Sequence, residues 1–276
     1  MKKAILFSVV ALILFSGAFF QAQAEKDGLV FTLIYDNYEH NPGCRTDWGF
    51  SCLVEGFDKT ILFDTGTKPE IFAGNAEALK LDLSKVGVVV VSHFHGDHTG
   101  GMDAFFEKKT DVPIYVPVDP SRNAGLLCDR FRDKGAEVFP VSKEKEILPN
   151  VFLTGTLGEA IKEQAMIFKT EKGLIVMTGC AHPGIVHILT KVREMFPTEK
   201  MALVFGGFHL MQTPEAEISS IIGAFKELGV TKLGATHCTG DKAIELFREA
   251  FGSDFVEMGA GRILKFQAGD LKTSRR

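Results

Sequence analysis

Ser92-His93-Phe94-His95-Gly96-Asp97-His98-Thr99-Gly100-Gly101 places three imidazoles and a carboxylate within six residues. Just before it runs Val86-Gly87-Val88-Val89-Val90-Val91, apolar and β-branched, the pattern of a strand covered on both faces. Gly100 and Gly101 suit a tight turn into a helix that begins near Met102. The polar cluster therefore falls at the carboxyl end of a central strand, where open α/β sheets hold their ligands. Burying so many metal-competent side chains without a partner costs on the order of several kcal/mol, and a divalent cation offsets that cost. The alternation of His93 and His95 lets two imidazoles reach one ion, while Asp97 and His98 point to a second beside it. The alternative is a solvated histidine-rich loop with no ligand role, and the rest of the chain argues against it by supplying the missing ligands.

Other apolar strands end in the same manner. Thr60 to Phe63 ends in Asp64, and Leu174 to Met177 leads through Gly179-Cys180-Ala181 to His182. Met201 to Phe205 leads through Gly206-Gly207-Phe208 to His209, and Lys232 to Thr236 ends in His237. Of the 8 histidines, only His40 and His187 fall outside this pattern. Helical patterns over 69–79, 121–134, 184–196, 214–228 and 241–251 alternate with the strands in two similar runs. Such an order predicts two sheets packed between helices in one domain.

His93-x-His95-x-Asp97-His98 resembles the signature of the metallo-β-lactamase-fold superfamily, and the resemblance spans nearly all of the chain after its leader. It implies an α+β fold, a four-layer αββα sandwich, with one or two divalent ions, zinc first and iron or manganese as alternatives. By the same resemblance His93, His95 and His182 hold the first ion, and Asp97, His98 and His237 hold the second. Asp97 and His209 then count as catalytic, and Asp64 orients a ligand histidine rather than binding metal itself. His209 stays open between a supporting donor, a substrate contact and a general acid. One departure stands out: many dinuclear relatives carry a bridging aspartate between the third and last metal histidines, and here no Asp lies between His182 and His237. Cys180 and Cys238 are read as small structural side chains, with soft ligands or redox groups as the alternatives.

The segments 179–186, 206–210 and 236–240, together with Asp36-Asn37, resemble the branch of dihydropterin-methyl-(ribofuranosyl)aminobenzene-phosphate synthase-like proteins. The functional expectation is an exported metal-dependent hydrolase that turns a metal-bound hydroxide on an ester, phosphoester or cyclic amide. The alternatives are the transferase of that branch and a mononuclear iron dioxygenase. Residues 36–48 and the segment after His209 are expected to grip the substrate, with Tyr38, Trp48 and Phe208 as apolar walls.

Residues 1–24 read as a signal peptide: Lys2 and Lys3, then an apolar run from Ala4 to Phe20, then Ala22-Gln23-Ala24 before a cut. An uncleaved anchor is the alternative. The mature domain is then 25–276, periplasmic or secreted, without stable membrane insertion after cleavage. A net charge of -4 argues against a nucleic-acid surface, leaving a small molecule as the expected partner. Five cysteines are present, and export permits a disulfide between Cys44 and Cys52.

Overall fold

The computed structural model describes residues 28–266. The signal peptide with its cut after Ala24, and the basic tail from Lys272, lie outside the described residues. The first half contributes β1 (Leu29–Tyr35), β2 (Ser51–Glu55), β3 (Thr60–Phe63), β4 (Val86–Val90), β5 (Pro113–Pro117) and β6 (Glu137–Val141). The second contributes β7 (Lys145–Leu148), β8 (Val151–Leu153), β9 (Met166–Thr170), β10 (Gly173–Thr178), β11 (Met201–Gly207) and β12 (Val230–Thr236), and β13 (Ile263–Phe266) returns to the first. One sheet has the order β13-β1-β2-β3-β4-β5-β6 and the other β12-β11-β10-β9-β8-β7. The strands β3 to β6 run parallel, as do β10 to β12.

Alternation along the strands builds three apolar layers. Val88 and Val90 of β4 face Ile175 and Met177 of β10 across the space between the sheets. Val89 and Val91 point the other way, under α1 (Pro69–Ala78), α3 (Met102–Phe106) and α4 (Arg122–Asp133). Leu174 and Val176 cover the outer face of the second sheet beneath α5 (Ile185–Met195), α6 (Glu215–Glu227) and α7 (Asp241–Phe251). The result is the four-layer αββα sandwich. Helix starts follow local chemistry: Pro69 opens α1, and the Ser121 hydroxyl accepts from the Ala124 N–H to cap α4. Among the described residues no helix is long and apolar enough to cross a membrane.

Phe31 sits at the centre of the inter-sheet layer, fully buried, with edge-on contacts to Phe168 at 5.0 Å, Phe205 at 5.4 Å and Phe266 at 5.8 Å. Phe31→Ala is expected to cost about 3–5 kcal/mol, read as a lower urea midpoint with an unchanged slope. A loss below about 1 kcal/mol would mean that this layer is not the core of the fold.

Three expectations need correction. The apolar run from Gln164 to Lys169 reads as a strand, yet the strand starts at Met166, because Gln164 lies outside its ladder and ties the sheets together. Its Nε2 donates to the Val91 carbonyl at 2.9 Å and the Tyr115 carbonyl at 3.2 Å. The edge strand β7 went unread because its residues, Lys-Glu-Ile-Leu, are exposed or half-buried and show no alternation. Cys44 and Cys52 do not pair: both thiols are free. Cys52 points into the inter-sheet core, whereas Cys44 lies in the loop after Asn41, against Gly261.

Candidate metal centre

The carboxyl ends of β3, β4, β10 and β12 and the loops that follow them meet in one cleft. Four residues there, Asp64, Ala181, His209 and His237, adopt left-handed backbone with φ of 55, 60, 53 and 52°. For residues other than glycine such a conformation costs on the order of 1–3 kcal/mol each. Clustering at one cleft marks it as the place where backbone strain is tolerated to aim side chains.

Each histidine is set by its partner. Asp64, fully buried, accepts the Ser92 N–H at 2.7 Å and the Ser92 hydroxyl at 2.6 Å, and stands 2.7 Å from His98 Nδ1. Ser92 Oγ lies 2.9 Å from His93 Nδ1. Asn37 Oδ1 lies 2.9 Å from His237 Nδ1, and the Asn37 amide donates to the His237 carbonyl at 3.3 Å. With its Nδ1 proton so engaged, His93 presents an Nε2 lone pair to the cleft, and His237 turns its Nε2 toward Asp97. Glu163, fully buried, accepts three successive backbone N–H groups, from Cys180 at 2.9 Å and from Ala181 and His182 at 2.8 Å each. That grip fixes the turn carrying His182.

The side chains gather in two main sets, and Cys180, His182 and His209 form a third group that links them. The rings of His93, His95 and His182 lie 4.6 to 4.8 Å apart, and His93 Nε2 is 3.1 Å from His95 Nδ1. Asp97 Oδ2 stands 3.5 Å from His98 Nε2 and 3.4 Å from His237 Nε2. The ligand atoms within each set, the second joined by Cys180, lie within 4.8 Å of one another.

Electrostatics point the same way. Burial, then the neighbouring imidazoles, lowers the His93 pKa well below its ordinary value, and burial lowers that of His95. Burial, then His209 and His95, brings His182 down to about 3. All three are therefore neutral at neutral pH, the form that binds a cation. His98 differs: burial alone would lower its pKa, but Asp64 and Asp97 outweigh that and raise it to about 10. Burial would raise Asp97, yet hydrogen bonds to His237 and His98 hold its carboxyl well below the usual carboxylate range. Asp64 thus holds one nitrogen of His98, while the other faces Asp97 and His237, where a divalent cation would fit.

A second test of fit is His182 Nε2, which is buried without a hydrogen-bond partner among the described residues. Such orphans are rare in native proteins, and this one lies in the three-histidine set. The donors present suit divalent cations: imidazole and carboxylate, with a thiol beside them.

The remaining expectations divide. Trp48 lies at the cleft, 41% exposed with its ring 4.9 Å from that of His237. Phe208 does not; it is core, packed on Phe225 and Phe247 at 5.6 and 5.7 Å. The Tyr38 hydroxyl is tied to Asp241 Oδ1 at 2.6 Å. His209 is exposed, its ring 4.3 Å from that of His182. Glu163 escaped sequence reasoning altogether, its one signal being an acidic residue entering an apolar strand.

The sequence profile of the metallo-beta-lactamase superfamily matches residues 49–203. The chain belongs to the metallo-beta-lactamase superfamily. It is 31% identical over 285 aligned positions to 7,8-dihydropterin-6-methyl-4-(beta-D-ribofuranosyl)-aminobenzene-5'-phosphate synthase of Methanocaldococcus jannaschii, covering 86% of this chain and 96% of that one. Among solved structures it is similar to Tm1679, a metal-dependent hydrolase of the beta-lactamase superfamily, at 28% identity and a TM-score of 0.73, covering 87% of this chain and 99% of that one. A metallo-beta-lactamase fold protein from Bacillus subtilis shares the fold at 14% identity and a TM-score of 0.62, covering 87% and 100% of the two chains. The side chains of the cleft are of kinds that bind divalent metal.

Asp36 supports the far side of this cleft. Fully buried, it accepts the Tyr38 N–H at 3.0 Å and the Thr236 hydroxyl at 2.7 Å, next to His237. Burial pushes its carboxyl from 3.8 up to about 6 against those hydrogen bonds. Between these values the folded chain binds more protons than the unfolded one, so the contribution of Asp36 falls as pH rises. In metal-free protein, Asp36→Asn is therefore expected to gain on the parent by about 3 kcal/mol between pH 3.5 and pH 7. Denaturant titrations at the two pH values measure this, and a difference independent of pH would refute it.

Proposed function

We propose that this protein is a metal-dependent hydrolase of small-molecule ester, phosphoester or cyclic amide bonds. One observation carries the proposal: residues from strand ends far apart in sequence converge as two adjoining sets of metal-competent side chains. His93, His95 and His182 would hold one cation, and Asp97, His98 and His237 a second, with zinc suited to these donors. Bound there, divalent cations supply Lewis acidity and a solvent molecule that ionises near neutral pH. The chain supplies the rest. Asp64, Ser92 and Asn37 hold the ring planes, so little reorganisation accompanies reaction. Trp48 offers an apolar face to the substrate beside His237. His209, whose pKa is raised by its hydrogen bond to Cys238, offers an imidazole at the open side of the cleft for proton transfer to the leaving group.

Similarity to Tm1679 supports hydrolysis. The 31% identity to the archaeal synthase, over 96% of its length, favours a second reading in which the same centre serves a transfer reaction. The leader supports export with a cut after Ala24, which separates a transferase of that kind from cytosolic intermediates. The charge of -4 supports a small molecule rather than a nucleic acid as partner.

The test is metal analysis of the purified protein, followed by a phosphoester, lactone and lactam panel with zinc, manganese or iron restored. Hydrolysis that disappears on chelation and returns with metal is expected. A metal-loaded protein that hydrolyses nothing, but condenses a pterin with an aminobenzene-phosphate partner, would overturn the hydrolase in favour of the transferase. Iron-dependent oxygen consumption would overturn both.

A further inference from the structure

Cys180 reaches the cleft from the turn that Glu163 grips. Three successive amides bind one carboxylate there, and Ala181 is left-handed between its neighbours. His182 joins His93 and His95, and Cys180 joins Asp97, His98 and His237; Cys180 and His182 also lie near each other, together with His209, where the two sets adjoin. Cys180 is 3% exposed. Its Sγ lies 3.1 Å from His98 Nε2 and 3.4 Å from His237 Nε2. Asp97 Oδ2 lies 3.5 and 3.4 Å from the same two nitrogens. Around a tetrahedral zinc ion, with Zn–N bonds of about 2.0–2.1 Å and Zn–S of about 2.3 Å, neighbouring donors stand about 3.3–3.6 Å apart. Two imidazoles, one carboxylate and one thiol are thus already spaced close to the edges of a four-donor cage.

We propose that Cys180 is the fourth ligand of the cation held by Asp97, His98 and His237, an inference that rests on the metal-dependent reading above. Two consequences follow. Four protein ligands close that site, as in structural zinc sites, whereas three histidines leave an open position at His93, His95 and His182. Solvent and substrate then meet the three-histidine cation, and the other cation anchors the cleft. A sulfur donor also biases the closed site toward zinc, cadmium or cobalt and away from manganese and magnesium. On binding, the S–H bond breaks, its proton leaves to solvent, and the sulfur keeps the electron pair that it shares with the cation.

The test replaces the native metal with cobalt(II) in the full-length protein and records the near-ultraviolet spectrum. The expected result is a thiolate-to-cobalt charge-transfer band in the parent that is absent from Cys180→Ser and kept in Cys238→Ser. One of two bound cations should also dissociate at least about 10-fold more readily in Cys180→Ser. Should Cys180→Ser fail to fold, the parent still decides, since bound zinc should protect Cys180 from alkylation. Cobalt bound without a thiolate band, or a band that survives Cys180→Ser, overturns the role of Cys180 and leaves the metal-dependent reading intact. No cobalt bound at all overturns both.

Discussion

His95→Ala is expected to bind one cation fewer than the parent and to lose at least about 10³-fold in hydrolysis rate, equivalent to about 4 kcal/mol of barrier. His95 is half-buried, with one ring nitrogen 3.1 Å from His93 Nε2 and its ring beside that of His182. Without it, two imidazoles remain where three are needed to hold an ion and leave one position open. Stability should fall by about 1–2 kcal/mol at most, since the one buried atom that loses a partner is His93 Nε2. His98→Ala makes the contrast: it leaves the fully buried Asp64 carboxylate without its imidazole, a loss of about 3–5 kcal/mol. Metal analysis, initial rates and denaturant titration separate the two cases. A His95→Ala protein with full metal content and rate would remove His95 from the centre.

Gly100→Ala is expected to destabilise by about 3 kcal/mol or more, against the usual trend. Gly100 has ordinary helical angles, φ -63° and ψ -33°, where alanine normally gains up to about 1 kcal/mol over glycine. Here a Cβ would stand 1.9 Å from the Thr67 carbonyl oxygen, so backbone must move and a packed core yields poorly. The segment pushed away continues from Asp64, which holds His98, so metal affinity should fall together with stability. Gly96→Ala is the control. Nothing lies within 4 Å of a Cβ there, and the variant should be neutral or slightly more stable. Equal effects from the two substitutions would show that the loop after β4 does not press on the loop after β3.

The contrast between the two glycines shows what sequence can carry. A Gly-Gly pair after His98 suggests a turn, and indeed the helix is interrupted there, between α2 (Gly96–Thr99) and α3. Its cause is close approach to Thr65 and Thr67, a tertiary fact with no local sign. The same divide runs through the site. His93, His95, Asp97 and His98 were legible because six consecutive residues hold them all. His182 and His237 were legible because each terminates a readable strand. Asn37 meets His237 from 200 residues away, and Cys180 meets His98 from 82. Nothing in the spacing of either residue announces such a contact. Phe208 misled for a related reason: it stands between Gly207 and His209 at the cleft, but its side chain turns under α6 and α7. Cys44 and Cys52 are near in sequence, yet a loop and a core-facing strand hold them apart.

The central claim is that separate strand ends converge on two cations. Anomalous scattering at the zinc edge from crystals of the zinc-loaded protein tests it most directly. Two peaks are expected in the cleft, one among His93, His95 and His182, the other among Asp97, His98 and His237. A map with no peak there, or with the His182 and His237 rings turned away from any peak found, would contradict it.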